Sequence, residues 1–460
     1  MYIEQLYTSC LAEAAYYIES EGEAAIIDPL RETEPYIALA NKRNAKIKYV
    51  FETHFHADFV SGHIDLAKKT GSTIVYGPTA QTGFESRIAK DNELFSIGKI
   101  KLKVLHTPGH TMESSCYLLI DENGKENAVF TGDTLFVGDV GRPDLAIKSN
   151  LTITDLAGMM YDSLNVKIKP LADEVIVYPG HGAGSACGKN IGKETFSTIG
   201  IQKKMNYALQ PMTKPEFVKA VTDGLSAPPS YFFMDAMLNK QGYENIDEVL
   251  SKNTKALSVE EFDALSKTDV IILDTRTPEE FETGTVPNAL NIGLNGQYAP
   301  WVGALLDAKK PLLLIANEGK ETEAVLRLAR VGYENVKGYL QGGVPAWAKA
   351  DKKVEIMDSV NADEFAKTYQ TDNIIDVRNP GEWNSGIIEN AQLIALGDLE
   401  KEMNMLNKNS HYFIHCAGGY RSMMAASILK KNGFANITNV RGGIGKIKEA
   451  GVPVVQPIVA

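Results

Sequence analysis

The chain has 460 residues, 44% hydrophobic and 23% charged, with 47 basic against 58 acidic side chains and a net charge of −11. This is the composition of an ordinary folded protein; the acidic balance speaks against nucleic-acid binding, and no apolar run reaches the ~18 to 20 residues that a membrane span needs. Four scattered cysteines, at 10, 116, 187 and 416, exclude a disulfide scaffold or a cysteine-rich zinc module.

Met1-Tyr2-Ile3-Glu4-Gln5 has neither a basic nor an apolar leader character, so a reduced cytoplasmic setting is expected. At ~150 residues per domain the length accommodates about three domains. Ala24-Ala25-Ile26-Ile27-Asp28-Pro29 and Ile47-Lys48-Tyr49-Val50-Phe51 read as strands feeding loops. A helical pattern over 64–69 stops at Gly71. This alternation runs for roughly 200 residues and predicts a layered α/β domain. Pro211, Pro215, Pro228 and Pro229 then crowd the chain, and the boundary is expected near 251–256. Tyr231-Phe232-Phe233-Met234 is too apolar for a free linker and should pack on the first domain.

The remainder repeats itself. Ile272-Leu273-Asp274-Thr275-Arg276-Thr277-Pro278-Glu279-Glu280-Phe281 answers Ile374-Ile375-Asp376-Val377-Arg378-Asn379-Pro380-Gly381-Glu382-Trp383, and Gly342-Gly343 answers Gly442-Gly443. Two α/β copies of about a hundred residues each follow the first domain. The expected domains are 1–254, 255–354 and 355–460.

Chemistry concentrates in two places. In the first domain, Thr53-His54-Phe55-His56-Ala57-Asp58-Phe59 follows a strand, and His110, Asp133 and His181 each lie in a Gly-containing loop after another. Such loops converge at one sheet edge, and imidazole with carboxylate suits zinc, iron or manganese. Spacing alone leaves open which of His54 and His56 is a ligand. Near the C-terminus, the strand Tyr412-Phe413-Ile414 delivers Cys416 into Cys416-Ala417-Gly418-Gly419-Tyr420-Arg421-Ser422, ahead of a helical run over 423–431. A Gly-containing loop at a helix N-terminus stabilises an anion, and with Arg421 nearby it should keep Cys416 a nucleophilic thiolate.

The His-x-His-x-Asp cluster with the His110, Asp133 and His181 loops resembles the metallo-β-lactamase fold, an αββα sandwich. That family's two-metal hydrolases, such as glyoxalase II, carry a histidine where this chain has Phe59, which cannot ligate, so a mononuclear centre is expected. Thr53-His54-Phe55-His56-Ala57-Asp58, Gly141-Arg142-Pro143-Asp144-Leu145 and the run Tyr178-Pro179-Gly180-His181 through Cys187 to Lys189 resemble the persulfide dioxygenases within that superfamily. The resemblance implies one Fe(II) held by His54, His110 and Asp133, with His56, Asp58 and His181 orienting ligands and substrate. Arg142 is a candidate for an anionic substrate group or a turn ion pair, Tyr178 for a pocket hydrogen bond, and Cys187 for receiving sulfur near the metal.

The C-terminal pattern, Cys416 with Arg421-Ser422 and the closing Arg441-Gly442-Gly443, resembles the rhodanese sulfurtransferases; that family's usual arginine after the cysteine is Ala417 here. In the first copy Cys416 becomes Ala316 and Arg421 becomes Glu321, which predicts a catalytically silent domain serving packing, spacing or oligomerisation.

The expected protein is a persulfide dioxygenase fused to a rhodanese. It would oxidise the persulfide of a small thiol (glutathione, coenzyme A or similar) with O2 to sulfite, and use the Cys416 persulfide to convert sulfite to thiosulfate. A homo-oligomer is expected, with no nucleic-acid or membrane partner. The rival expectations are a zinc-dependent thioester hydrolase and a non-catalytic sulfane-sulfur carrier or sensor.

Overall fold

The computed structural model describes residues 1–145, 151–371 and 373–457. Its residues divide into two compact units, Met1–Val249 with Leu328–Tyr333, and Leu250–Arg327 with Glu334–Ala460. The break at Val249/Leu250 lies five residues before the boundary expected from sequence.

In the first unit, β1 (Tyr2–Thr8), β2 (Glu13–Ser20), β3 (Glu23–Ile27), β4 (Lys46–Glu52), β5 (Thr73–Tyr76) and β6 (Arg87–Ile88) form one sheet in sequential order. β7 (Leu94–Ile97), β8 (Ile100–His106), β9 (Ser115–Ile120), β10 (Glu126–Gly132), β11 (Ile176–Pro179) and β12 (Ser197–Thr198) form a second.

Period-two alternation decides the layers. On β2, Ala14, Tyr16 and Ile18 face a core shared with Leu102, Val104, Tyr117 and Phe130 of the other sheet. Their neighbours Ala15 and Tyr17 face outward, where Tyr36 and Ala40 of the helix Glu34–Lys42 cover them. Leu105, Leu118 and Val129 on the far face of the second sheet pack under Met160 and Phe217, from the helices Ile153–Ser163 and Lys214–Thr222. The result is helix, sheet, sheet, helix, with strand ends opening into loops at the edge where the histidines lie. The segment after Pro211 packs onto this unit as expected, through Phe217 and the buried Phe232.

The second unit holds two five-stranded sheets. One runs Ala256–Leu257, Val336–Leu340, Leu312–Ile315, Ile271–Asp274, Leu290–Asn291; the other runs Asp358–Val360, Ile437–Val440, Tyr412–His415, Asn373–Asp376, Gln392–Leu393. The order is the same and the pairings are parallel, so the sequence repeat is a structural one. Strands covered on both faces are apolar throughout, as in the fully buried Leu312–Ile315.

Each copy buries the same ion pair two residues apart: Asp274 with Arg276 at 2.5 Å and Asp376 with Arg378 at 2.6 Å. The arginines also donate to Gly284 O and Gly386 O at 2.8 and 2.9 Å, fixing the turn that follows.

One glycine separates the copies. Gly343 and Gly443 both sit at positive φ, +60° and +61°. A Cβ at Gly343 would meet nothing nearer than 3.7 Å, whereas at Gly443 it would overlap the carbonyl of Ala417 in the cysteine loop. Gly343→Ala should cost about 1–2 kcal/mol of left-handed strain, and Gly443→Ala clearly more, because backbone must move. Urea unfolding of the two full-length variants checks this; equal losses would mean that the Ala417 contact relaxes freely.

Candidate functional site

His54 follows β4, His110 follows β8, Asp133 follows β10, and all three are buried. Their ligating atoms lie within 4.8 Å of one another. Nε2 of His110 is 3.4 Å and Nε2 of His54 is 3.8 Å from Asp133 Oδ2.

The outer nitrogens explain the orientation. His110 Nδ1 is 2.8 Å from the Arg142 carbonyl oxygen, which only accepts, so the proton sits on Nδ1 and the Nε2 lone pair points inward. His54 Nδ1 is 3.0 Å from Thr53 Oγ1, whose own proton goes to Asp28 Oδ2 at 2.8 Å; His54 is therefore the donor, and its Nε2 is likewise a lone pair. Burial, then repulsion from His56, His110 and His181, holds His54 well below the ordinary imidazole pKa, in the ligating form. Both Nε2 atoms and both Asp133 oxygens lack hydrogen-bond partners among the described residues. An orphaned buried polar group costs about 1–3 kcal/mol, and three ligating atoms brought together, two nitrogens and a carboxylate oxygen, fit a divalent cation that takes nitrogen and oxygen ligands.

His56 points elsewhere. Its Nε2 is 3.1 Å from Asp28 Oδ1 and 3.5 Å from Glu52 Oε2, and its ring centroid lies 4.4 Å from that of fully buried Phe59. Burial opposes charge on His56, but Asp28, Glu52 and Asp58 outweigh it and push the imidazole up to about 10. His56 also forms a second possible ligand group with Asp58 and His181, again within 4.8 Å. His181 Nε2 lies 3.3 Å from Asp58 Oδ2 and 3.6 Å from Asp133 Oδ1.

Cys187 joins Asp133 and His181 in a further group within 4.8 Å. Burial, then the Asp58 and Asp133 carboxylates, pushes its thiol well above the ordinary range. A thiolate there needs positive charge beside it. The Arg142 guanidinium is engaged by Asp144 at 2.6 and 2.7 Å, Ser226 O at 2.5 Å and Ala186 O at 3.3 Å. The half-buried Tyr178 ring stacks on Phe130 and packs against Tyr16, at the margin of the core between the sheets. A cavity of about 610 Å³ opens beside the ligand loops, lined by Phe55, Ala57, Thr111, Phe232 and Met237.

Asp28, Glu52 and Asn239 escaped the sequence reading as site residues. Asp28 and Glu52 end neighbouring strands and looked like punctuation. Asn239, on the helix Phe232–Gln241, donates to His56 O at 2.8 Å and Phe59 O at 2.7 Å and accepts from Ser61 N at 2.8 Å. It clamps the loop that carries His54 and His56, and nothing in a lone helical asparagine signals this.

In the second unit, Cys416 is buried between the strand Tyr412–His415 and the helix Tyr420–Lys431. Gly419 N–H donates to its Sγ at 3.1 Å, and Ser422 Oγ lies 3.6 Å away. Arg421 was expected to serve the cysteine directly; the structure adds a partner, Glu382, at 2.5 and 2.8 Å. Cys416 and Arg421 share a cavity of about 320 Å³. In the other copy Ala316 takes the cysteine position, and Glu280, the counterpart of Glu382, receives Asn317 at 3.0 Å.

Replacing Asn239 by Ala removes three hydrogen bonds behind the metal loop and should lower metal affinity by about 10- to 100-fold, the usual effect of losing an outer-shell partner. Competitive chelator titration of the full chain measures it; unchanged affinity would mean that the loop holds its shape without the clamp.

A family model of the metallo-beta-lactamase superfamily matches residues 9–181, and one of rhodanese-like domains matches 258–350 and 361–450. Two Schizosaccharomyces pombe proteins named as probable hydroxyacylglutathione hydrolases are 34% identical over 166 residues and 33% identical over 187. Those alignments cover 35% and 40% of this chain, which spans 60% and 68% of the two relatives. A solved structure named as a metallo-beta-lactamase from Staphylococcus aureus subsp. aureus COL is 32% identical with a TM-score of 0.65, covering 74% of this chain and 98% of its own. The fold, the converging ligand loops and these likenesses lead to one conclusion: the chain belongs to the metallo-beta-lactamase superfamily and carries two rhodanese-like domains behind that module.

Proposed function

We propose that the protein is a persulfide dioxygenase joined to a sulfurtransferase, acting on the persulfide of a low-molecular-weight thiol. The observation that carries this reading is one set of two imidazoles and a carboxylate, at His54, His110 and Asp133, whose imidazoles are oriented by their outer nitrogens. Beside it lies a second group in which Phe59 offers no ligand and His56 lies 3.1 Å from Asp28 and 3.5 Å from Glu52. Two histidines and one carboxylate form the facial triad associated with non-haem iron, and bound Fe(II) would supply open positions for sulfur and O2 together. The organic part of the substrate would lie in the cavity lined by Phe55, Phe232 and Met237. Overall, the persulfide, O2 and water give the free thiol and sulfite.

The sulfurtransferase half follows from Cys416. Its thiolate, held by the Gly419 N–H and the helix N-terminus, attacks the outer sulfur of a second persulfide and releases the thiol. Sulfite then attacks the enzyme persulfide, thiosulfate leaves and the Cys416 thiolate returns. Two sites on one chain raise the local concentration of sulfite at the second.

A second reading has a specific observation behind it. Ligating atoms of His56, Asp58 and His181 still lie within 4.8 Å of one another, and the relatives are named as probable hydroxyacylglutathione hydrolases. Two zinc ions in this pocket would run metal-hydroxide chemistry.

Metal analysis separates the two: one iron per chain is expected, and two zincs with thioester turnover would overturn the dioxygenase. Iron-loaded protein given glutathione persulfide should consume O2 and release sulfite or thiosulfate, and Asp133→Asn should reduce uptake to background. Cys416→Ser should leave O2 uptake intact while sulfite accumulates in place of thiosulfate. Unchanged thiosulfate would sink the division of labour.

A further inference from the structure

The cysteine-less copy does more than pack. We propose that it supplies the wall of the Cys416 pocket that selects the sulfur donor, and that this wall favours an organic thiol persulfide over a small inorganic dianion such as thiosulfate. The inference rests on the reading of Cys416 as a sulfur-transfer nucleophile and deepens it.

The cavity of about 320 Å³ over Cys416 is lined on one side by Asn379, Tyr420 and Arg421 of the copy that carries the cysteine, and on the other by Gln297 and Trp301 of the copy that lacks it. Trp301 lies on the helix Tyr298–Leu305 and is half-buried; Gln297, just before it, is exposed. Neither faces the cavity by accident of a loose loop. Buried Arg327 donates to Leu294 O at 2.6 Å and Gly296 O at 3.1 Å, fixing the turn that leads into this helix. From the other side, Tyr420 Oη donates to Gly293 O at 2.6 Å, and Asn291 N–H donates to Ser427 Oγ at 3.1 Å. Gly296 lies flat against the Tyr420 ring, where any Cβ would strike it. The segment 291–301 is thereby fastened to the helix that opens at the cysteine loop.

The lining chemistry points to the donor. Arg421 is the one cation among the described lining residues, and Glu382 already neutralises it. The Gly419 N–H and the helix N-terminus serve the charge on the reacting sulfur, and among the described lining residues no cation without a counter-charge remains to draw a second anionic centre into the donor's place. An indole face and a carboxamide, by contrast, suit the carbon arm and amide groups of a thiol such as a small peptide. In the step itself, the Cys416 thiolate forms a new S–S bond to the outer sulfur. The donor's own S–S bond breaks, and the thiolate that leaves with the electron pair takes up a proton.

The test is the rate of persulfide formation at Cys416 in the full chain, read by peptide mass spectrometry after single-turnover mixing with glutathione persulfide or with thiosulfate. Trp301→Ala should lower the ratio of the two rates by about tenfold, the usual loss for one apolar contact in a specificity pocket, and Trp301→Phe should restore most of it. Gln297→Lys, at an exposed position that leaves the fold alone, should move the ratio towards thiosulfate by adding a cation. A ratio unchanged in Trp301→Ala, or in Gln297→Lys should the first variant fail to fold, overturns the proposal while sulfur loading at Cys416 persists. If the unmodified chain loads sulfur at Cys416 from neither donor, the sulfurtransferase reading itself fails, and this proposal with it.

Discussion

Burying His54, His110 and Asp133 with their inward atoms unpaired is a standing cost to the first unit, and much of its architecture is arranged around that cost. An imidazole left to itself would turn its lone pair towards any donor in reach. Here each outer nitrogen is already committed, one to the Arg142 carbonyl and one to Thr53, whose hydroxyl is in turn committed to Asp28. The rings cannot rotate without breaking a bond that burial makes expensive. The αββα layering supplies what such a cluster needs, with strands of both sheets delivering their loops to one edge above a packed core. A metal ion bound there would satisfy the three converging ligand atoms at once, so metal loading and the stability of this unit should be linked.

The same reasoning explains why His56 and His54, two residues apart and alike in sequence, have different fates. Burial and the surrounding imidazoles hold the His54 pKa down; three carboxylates raise that of His56 against its burial. Phe59 packs its ring against that of His56, 4.4 Å between centroids. Spacing could not separate the two histidines, because the groups that do so, Asp28 and Glu52, come from the ends of two neighbouring strands and meet only once the sheet has formed.

What was readable in the sequence was whatever repeats locally or breaks a local pattern. Strands ending in Gly-containing loops marked His110, Asp133 and His181, and the duplicated Asp-x-Arg and Gly-Gly runs marked two copies that indeed share one strand order. Partnerships across long separations were not readable. Asn239 reaches Phe59 from 180 residues away, and Tyr420 reaches Gly293 from 127. Neither residue type is unusual for its helix, so only the fold reveals the clamp. The helix after the cysteine begins at Tyr420 and not at Met423, because Gly419, at φ +104°, turns the chain directly into it. Glu382 fell between these cases: it stood in a recognised motif, but its ion pair with Arg421 spans 39 residues.

The buried Asp–Arg pair is present in both rhodanese-like copies, with the same carbonyl acceptor behind each arginine, although only one copy has a cysteine to serve. Its role is therefore to hold the turn after the strand, and it is kept in the copy that has no cysteine. As a marker in other sequences, Asp-x-Arg reports that the scaffold is intact and says nothing about whether it works. The residues that distinguish the two copies are those of the cysteine loop and the glutamate–arginine pair beside it, and a census that counts the scaffold motif will count cysteine-less domains with the rest.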